Sequence, residues 1–308
     1  SNPWAWKSRP KLDDGLSGMN LRSWIDCGNG LGEGPLWCPL SQCLWWLDVA
    51  DPHLFCANAQ GQLLNRWILP KYPGSMALRH DGSLLLMFRH GPAIFQPLDG
   101  TVQWLDVPGL DLGETRFNDG KCDRLGRFWS GTMDRRTERA ICSLYRMDGL
   151  QRIRQMDASG VTIANGIAWS PDNRTMYFAD TPAGCIYAYD HDLERGNISH
   201  RRVFAQFKSG EGGPDGLTVD SQGGVWCALF NRSELHHIAP SGQPIQVIDL
   251  PVQQPTSVMF GGHDLGTLFI TTARMHLSPA QLQNQPWAGH VLCFEPGVKG
   301  LPEPRCAF

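Results

Sequence analysis

The chain has 308 residues and a formal net charge of -3, with 42% hydrophobic and 19% charged residues, 34 glycines and 22 prolines. That balance supplies a large apolar core and many tight turns, and it offers no basic face for nucleic acid and no basic helix for a membrane surface. No apolar run approaches the roughly eighteen residues that a membrane-crossing helix needs.

Residues 1–20 read as a polar tail carrying Trp4 and Trp6, without the charged-then-apolar order of a secretion signal. Asn20 to Asp26 alternates weakly and reads as a lone strand. From Glu33 onward the chain falls into short strands joined by turns. A first group starts at Glu33 and continues through Leu44–Val49, Leu54–Ala57 and Asn65–Leu69. A second has Met76–Leu78, the turn His80-Asp81-Gly82 and then Leu84–Phe88; Asp-Gly between apolar runs is a strong hairpin signal. A third places Gly126 in its first turn, followed by Arg127–Gly131 and Ser143–Met147. A fourth runs Ile167-Ala168-Trp169, the turn Ser170–Asn173, Met176–Ala179 and Ile186–Tyr189. A fifth has the turn Ser221–Gly224, then Val225–Phe230, His236–Ala239 and Ile245–Leu250. A sixth begins at Ser257 and continues through Thr267–Thr272 and His290–Phe294. No stretch holds a long period of 3.6, so almost no helix is expected.

These groups share a register. Their first residues fall at 33, 74, 119, 165, 215 and 256, in steps of 41, 45, 46, 50 and 41. A repeat of that length built from short strands predicts an all-β, six-bladed β-propeller, one blade per repeat. It makes residues 21–308 a single domain after the tail. The last blade lacks a fourth strand of its own, because Leu301-Pro302-Glu303-Pro304 is too rich in proline. The N-terminal strand Leu21–Asp26 is expected to close that blade and remove two free sheet edges.

The innermost strand of each blade lines the central channel, so a residue at its start sits at one mouth. Glu33, Asn165 and Asp215 hold that place in three blades, each followed by glycine. Two carboxylates and one amide oxygen suit one divalent cation: calcium, with zinc, magnesium or manganese as alternatives. Three protein ligands leave positions for water and substrate. Arg116-Phe117-Asn118-Asp119-Gly120-Lys121 adds polar groups at the same mouth. Arg116 can bind hydroxyl or carbonyl oxygens through its planar fork, Asn118 can donate to a sugar hydroxyl, and Asp119 can sit beside the metal.

Other chemistries have no support. There is no Gly-x-Ser-x-Gly elbow, no P-loop spacing before Cys122, and no dinucleotide pattern in Gly28, Gly30, Gly32 and Gly34. His236 and His237 are adjacent on one strand, point to opposite faces and cannot share a metal there. Trp37, Trp169 and Trp226 read as blade packing. The ten cysteines show no zinc or Cys-x-x-Cys spacing and read as buried reduced thiols of a cytoplasmic protein.

The set Gly32-Glu33-Gly34-Pro35-Leu36-Trp37, Arg116–Lys121, Asn165-Gly166-Ile167-Ala168-Trp169 and Pro214-Asp215-Gly216 resembles the SMP-30/gluconolactonase/regucalcin family over roughly residues 20–300. The resemblance implies a six-bladed propeller with one divalent metal at the channel mouth and, for most members, hydrolysis of sugar lactones to aldonic acids. It implies Glu33, Asn165 and Asp215 as metal ligands, Arg116 and Asn118 as substrate contacts, and Asp215 as general base, with Asp119 as the rival base. The animal members carry a substrate-contacting Glu shortly after Gly-Thr-Met, whereas here Gly131-Thr132-Met133 is followed by Asp134-Arg135-Arg136, with Arg136 at the corresponding place. The expected partner is a small sugar lactone, for a monomer or weak homodimer. The alternatives are a metal-dependent hydrolase of other esters or organophosphates, and a calcium-binding propeller without turnover.

Overall fold

The turns that join the first and second strands within a blade are written in side chains. In Ser170-Pro171-Asp172-Asn173, Asp172 Oδ1 accepts from Ser170 Oγ (2.6 Å) and from the Arg174 amide (3.1 Å), and Asn173 takes φ +59. In Asp81-Gly82, Asp81 Oδ1 accepts from the Ser83 amide (3.0 Å) while Gly82 supplies φ +85. The computed structural model of the chain describes residues 20–70, 72–208 and 212–308, so most of the tail expected over residues 1–20 lies outside the described residues.

A lone strand β1 (Arg22–Ile25) precedes the first blade, which holds β2 (Gly32–Cys38), β3 (Cys43–Asp48), β4 (His53–Asn58) and β5 (Leu63–Ile68). The second holds β6 (Pro73–Leu78), β7 (Leu84–Phe88), β8 (Gly91–Gln96) and β9 (Thr101–Trp104). The third holds β10 (Thr115–Cys122), β11 (Phe128–Asp134), β12 (Cys142–Gly149) and β13 (Arg152–Val161). The fourth holds β14 (Ala164–Trp169), β15 (Thr175–Asp180), β16 (Cys185–Asp192) and β17 (Asn197–Gln206). The fifth holds β18 (Gly213–Val219), β19 (Val225–Phe230), β20 (Glu234–Ile238) and β21 (Pro244–Asp249). The sixth holds β22 (Pro255–Gly261), β23 (Thr267–Thr272) and β24 (Val291–Phe294). Each blade is an antiparallel meander, and the first strands β2, β6, β10, β14, β18 and β22 touch one another in a closed ring. The outer strands β8, β9, β13 and β17 carry no strong alternation in sequence and become visible only here.

The expected closure is present. The sixth sheet has the order β1-β24-β23-β22, with Arg22 opposite Cys293. Arg22 forks onto Glu295 (3.0 and 3.3 Å), and Trp24 packs edge-on against Phe269 with ring centroids 4.8 Å apart. Truncating Trp24 to Ala opens that contact at the joint. The expected cost is about 2 kcal/mol, read from urea unfolding; an unchanged midpoint would show that the ring is held without it.

The one helix among the described residues, α1 (Pro279–Asn284), lies between β23 and β24, with a capping box in which Gln281 N donates to Ser278 Oγ and Ser278 N donates to Gln281 Oε1. The largest fully buried side chains of the core are tryptophans and phenylalanines: Trp37 stacks on Phe269 (5.7 Å) and Trp129 meets Trp169 edge-on (6.1 Å) between blades, and Trp46 stacks on Phe55 (5.1 Å) within the first. All ten cysteines are free, and all but Cys27 are buried. His236 pairs with Glu234 and His237 with Asp220, so the adjacent imidazoles serve different partners.

The C-terminal segment does not form a blade strand. It crosses the far end of the channel, with Cys306 N donating to Leu78 O (2.8 Å), Ala307 N to Gly126 O (3.0 Å) and Arg79 Nε to Phe308 O (2.6 Å). Lys121 reaches down the channel to Leu217 O (3.2 Å) and Glu303 (3.6 Å).

Candidate active site

In all six blades the register of the inner strand against its neighbour shifts at the repeat position. The irregularities fall between Glu33 and Leu36, Pro73 and Ser75, Phe117 and Gly120, Asn165 and Ile167, Pro214 and Leu217, and Pro255 and Ser257. Such a bulge bends the strand and re-aims a side chain. Here it turns one residue per blade towards the channel mouth. The glycines after Asp119, Asn165 and Asp215 have a steric reason, whereas Gly34 would meet nothing nearer than 3.8 Å and instead supplies φ +55. A Cβ on Gly166 would lie 2.5 Å from Asp215 O, and one on Gly216 would lie 1.9 Å from Ser257 Oγ. The inner strands can converge only because those positions lack side chains.

Glu33, Asp119 and Asp215 are brought together from blades one, three and five. Burial, then the charge of Asp119, pushes the Glu33 carboxyl up to about 8. Burial, then the charges of Glu33 and Asp119, drives Asp215 well above the usual carboxylate range. Burial raises Asp119 against the opposing pull of Lys121. Each carboxylate accepts from the amide of the glycine that follows it, at 3.1 Å for Glu33 Oε2 and 2.7 Å for Asp119 Oδ1. Glu33 and Asp119 are half-buried and Asp215 is buried, and three carboxyls that raise one another in this way resist ionising together.

Asn165 is buried beside them. Its Nδ2 donates to Thr181 Oγ1 (2.7 Å), and Thr181 Oγ1 donates to Pro214 O (2.7 Å), the residue before Asp215. Asn118 Nδ2 donates to Asn165 Oδ1 (2.7 Å) and to Ala164 O (2.9 Å). Both amides are therefore fixed in orientation: each turns its nitrogen into the protein, and Asn165 Oδ1 keeps one lone pair. Arg116 stands apart from the carboxylates. Its Nη1 donates to Phe117 O (3.2 Å), and burial together with Arg89 and Arg135 pulls its guanidinium down to about 10. Arg136 is exposed in the turn after β11.

Among the described residues no group of three or more His, Cys, Asp and Glu side chains is gathered closely enough to form a metal cage by itself. The oxygen set at the mouth depends on an amide, Asn165, for its third member. Thr181 escaped the sequence reading, because a threonine after a strand-ending Asp180 carries no motif. Asp180 itself, with Asp48 at the same place in blade one, holds the entry loop of its blade: Asp48 accepts from Gly30 N (2.8 Å) and Leu31 N (3.0 Å), Asp180 from Thr162 N and Ile163 N (3.3 Å each). Recurrence of an acid at second-strand ends was the signal available for that.

The family model described as SMP-30/Gluconolactonase/LRE-like region matches residues 31–274. The chain belongs to this family. It is 35% identical to a 6-deoxy-6-sulfogluconolactonase of Pseudomonas putida over 90% of this chain and 95% of that one. It is 32% identical to an L-arabinolactonase of Azospirillum brasilense, over 92% and 94% of the two chains. Among solved structures, the calcium-binding protein regucalcin from Agrobacterium tumefaciens superposes with a TM-score of 0.85 at 28% identity, over 91% of this chain and 95% of that one. No helix among the described residues is long and apolar enough to cross a membrane.

Proposed function

We propose that the protein is a divalent-metal-dependent lactonase that opens an aldonolactone to its aldonic acid. One observation carries this reading: Glu33, Asp119 and Asp215 converge beside the oriented Asn165–Asn118 amide pair at a single channel mouth. Relatives named for sulfogluconolactone and arabinolactone hydrolysis support the substrate class. The donor set fits a hard cation, since Glu33, Asn165 and Asp215 offer oxygen and the two carboxyls would bring negative charge once ionised. Calcium is the first expectation, in line with the calcium-binding regucalcin, and zinc, magnesium or manganese would use the same oxygens. When bound, such an ion supplies Lewis-acid polarisation of a ring-ester carbonyl.

The chain's own residues divide the remaining work. Asp215 takes the proton of the attacking water, and Asp119 stands beside it as the rival for that role. Asn118 Oδ1 and the Arg116 guanidinium hold the substrate hydroxyls and carbonyl oxygens. The unpaired thiols suit a reducing compartment such as the cytoplasm. A panel of aldonolactones followed by acid release, with and without chelator, tests the reading. Release that survives chelation removes the metal from it, and binding of calcium with no release on any lactone favours a calcium-binding propeller instead.

Thr181 is expected to act through Asn165. Thr181→Val removes the hydroxyl that accepts from Asn165 Nδ2 and lets the amide turn. A loss of metal affinity of about tenfold or more is expected, as for outer-shell partners generally. Calorimetric titration of calcium into the variant measures it; unchanged affinity would make Thr181 a support of Pro214 alone.

A further inference from the structure

We propose that Arg89, Arg116 and Arg135 form a subsite for an anionic oxyacid group, so that the preferred substrate is an aldonolactone bearing a carboxylate, sulfonate or phosphate away from its ring ester. The inference rests on the lactonase reading for the lactone and on the arginines alone for the anion. The three come from neighbouring blades at the mouth that holds the acids. Arg116 is two residues before Asn118 on β10. Arg135 follows the end of β11, where its N–H donates to Glu114 O and its Nε to Thr115 O (3.1 Å each). Arg89 follows the end of β7, with its N–H on Tyr72 O (3.0 Å). That places it beside the start of β6, whose Gly74 is packed so tightly on Asn118 that a Cβ would lie 2.5 Å from Asn118 O.

The cluster lacks acids. Among the described residues no carboxylate pairs with any of the three arginines. The nearby acids Glu114 and Asp134 are both engaged by Arg139. Arg89 Nε is buried with no hydrogen-bond partner. Among the described residues the three guanidinium groups donate only from Arg116 Nη1 to Phe117 O and from Arg135 Nε to Thr115 O. Gathering three cations against mutual repulsion, with Arg89 Nε buried and unpartnered, is unfavourable unless an anion is to be received there. Forked guanidinium donors match the planar or tetrahedral oxygens of carboxylate, sulfonate and phosphate.

The test separates the anion from the chemistry. Calorimetry should show the protein binding 6-phosphogluconate at least tenfold more tightly than gluconate. Arg89→Gln and Arg135→Gln should shrink that ratio severalfold, and Arg89→Lys should keep part of it. Equal affinity for the two acids, or a ratio untouched by both glutamine variants, overturns the subsite. In parallel, kcat/KM is compared for 6-phosphogluconolactone and gluconolactone. A binding preference without hydrolysis of either lactone supports the subsite and overturns the lactonase; hydrolysis without preference in binding or rate does the reverse.

Discussion

Replacing Asp215 by Asn should leave an enzyme that still fills with metal when enough is supplied, yet turns over at least roughly 10²-fold more slowly. The amide keeps an oxygen where the carboxylate stood and loses the negative charge, so metal affinity falls. Excess metal overcomes that part of the loss and cannot restore a proton acceptor. The kinetic quantity to watch is therefore kcat at saturating metal, with occupancy checked by elemental analysis of the same sample. Asp119 provides the contrast. It occupies the matching bulge of the third blade, its carboxyl senses Lys121, and its charge acts on both Glu33 and Asp215. If Asp215→Asn recovers near-normal kcat as metal is raised, while Asp119→Asn stays inactive with metal bound, the proton acceptor is Asp119 and Asp215 serves only as a ligand.

The second large effect is thermodynamic. An ion that binds the folded state alone stabilises it by about 2.7 kcal/mol at one hundred times its Kd. The wild type should gain that much when calcium is added after chelation, visible as a rise in Tm. Glu33→Gln should gain almost nothing, because a ligand charge is lost. The variant should also be no less stable than the chelated wild type. Removing one of three mutually repelling acids relieves the strain that burial puts on Glu33, so the substitution costs the folded protein nothing when no ion is present. A Glu33→Gln protein that still shows the full calcium-dependent rise would move the ion to a different set of oxygens.

The blade pattern could be read from the chain because four of the six inner strands carry a polar residue before a glycine, at Glu33, Asp119, Asn165 and Asp215, and in the last three the glycine is demanded by packing. Gly166 against Asp215 O and Gly216 against Ser257 Oγ leave no room for a Cβ, so the signal and its cause coincide. The bulges could not be read. A shifted register is a property of two strands, and no single segment announces it. The amide orientations were also hidden, since Asn118, Asn165 and Thr181 become one hydrogen-bonded chain only after blades three, four and five are set side by side. Arg116 was legible as a polar group of the mouth. Its company of Arg89 and Arg135 was not, because the three lie at the ends of different strands whose nearness the ring creates.

The joint between β1 and β24 also sets a schedule for biosynthesis. Arg22 and Glu295, which fork together at that joint, lie 273 positions apart. A ribosome adding roughly 5–20 residues per second makes the first strand about 14 to 55 seconds before its partner exists. Through that interval β1 waits, and the growing blades form an open arc with a bare edge at each end. Moving the chain ends to an interblade connection such as residues 105–114, between β9 and β10, with the present ends linked, would give every blade strands that emerge close together. Such a circular permutant should reach its native state soon after release, with less capture by chaperones in a cell-free translation, than the natural order allows.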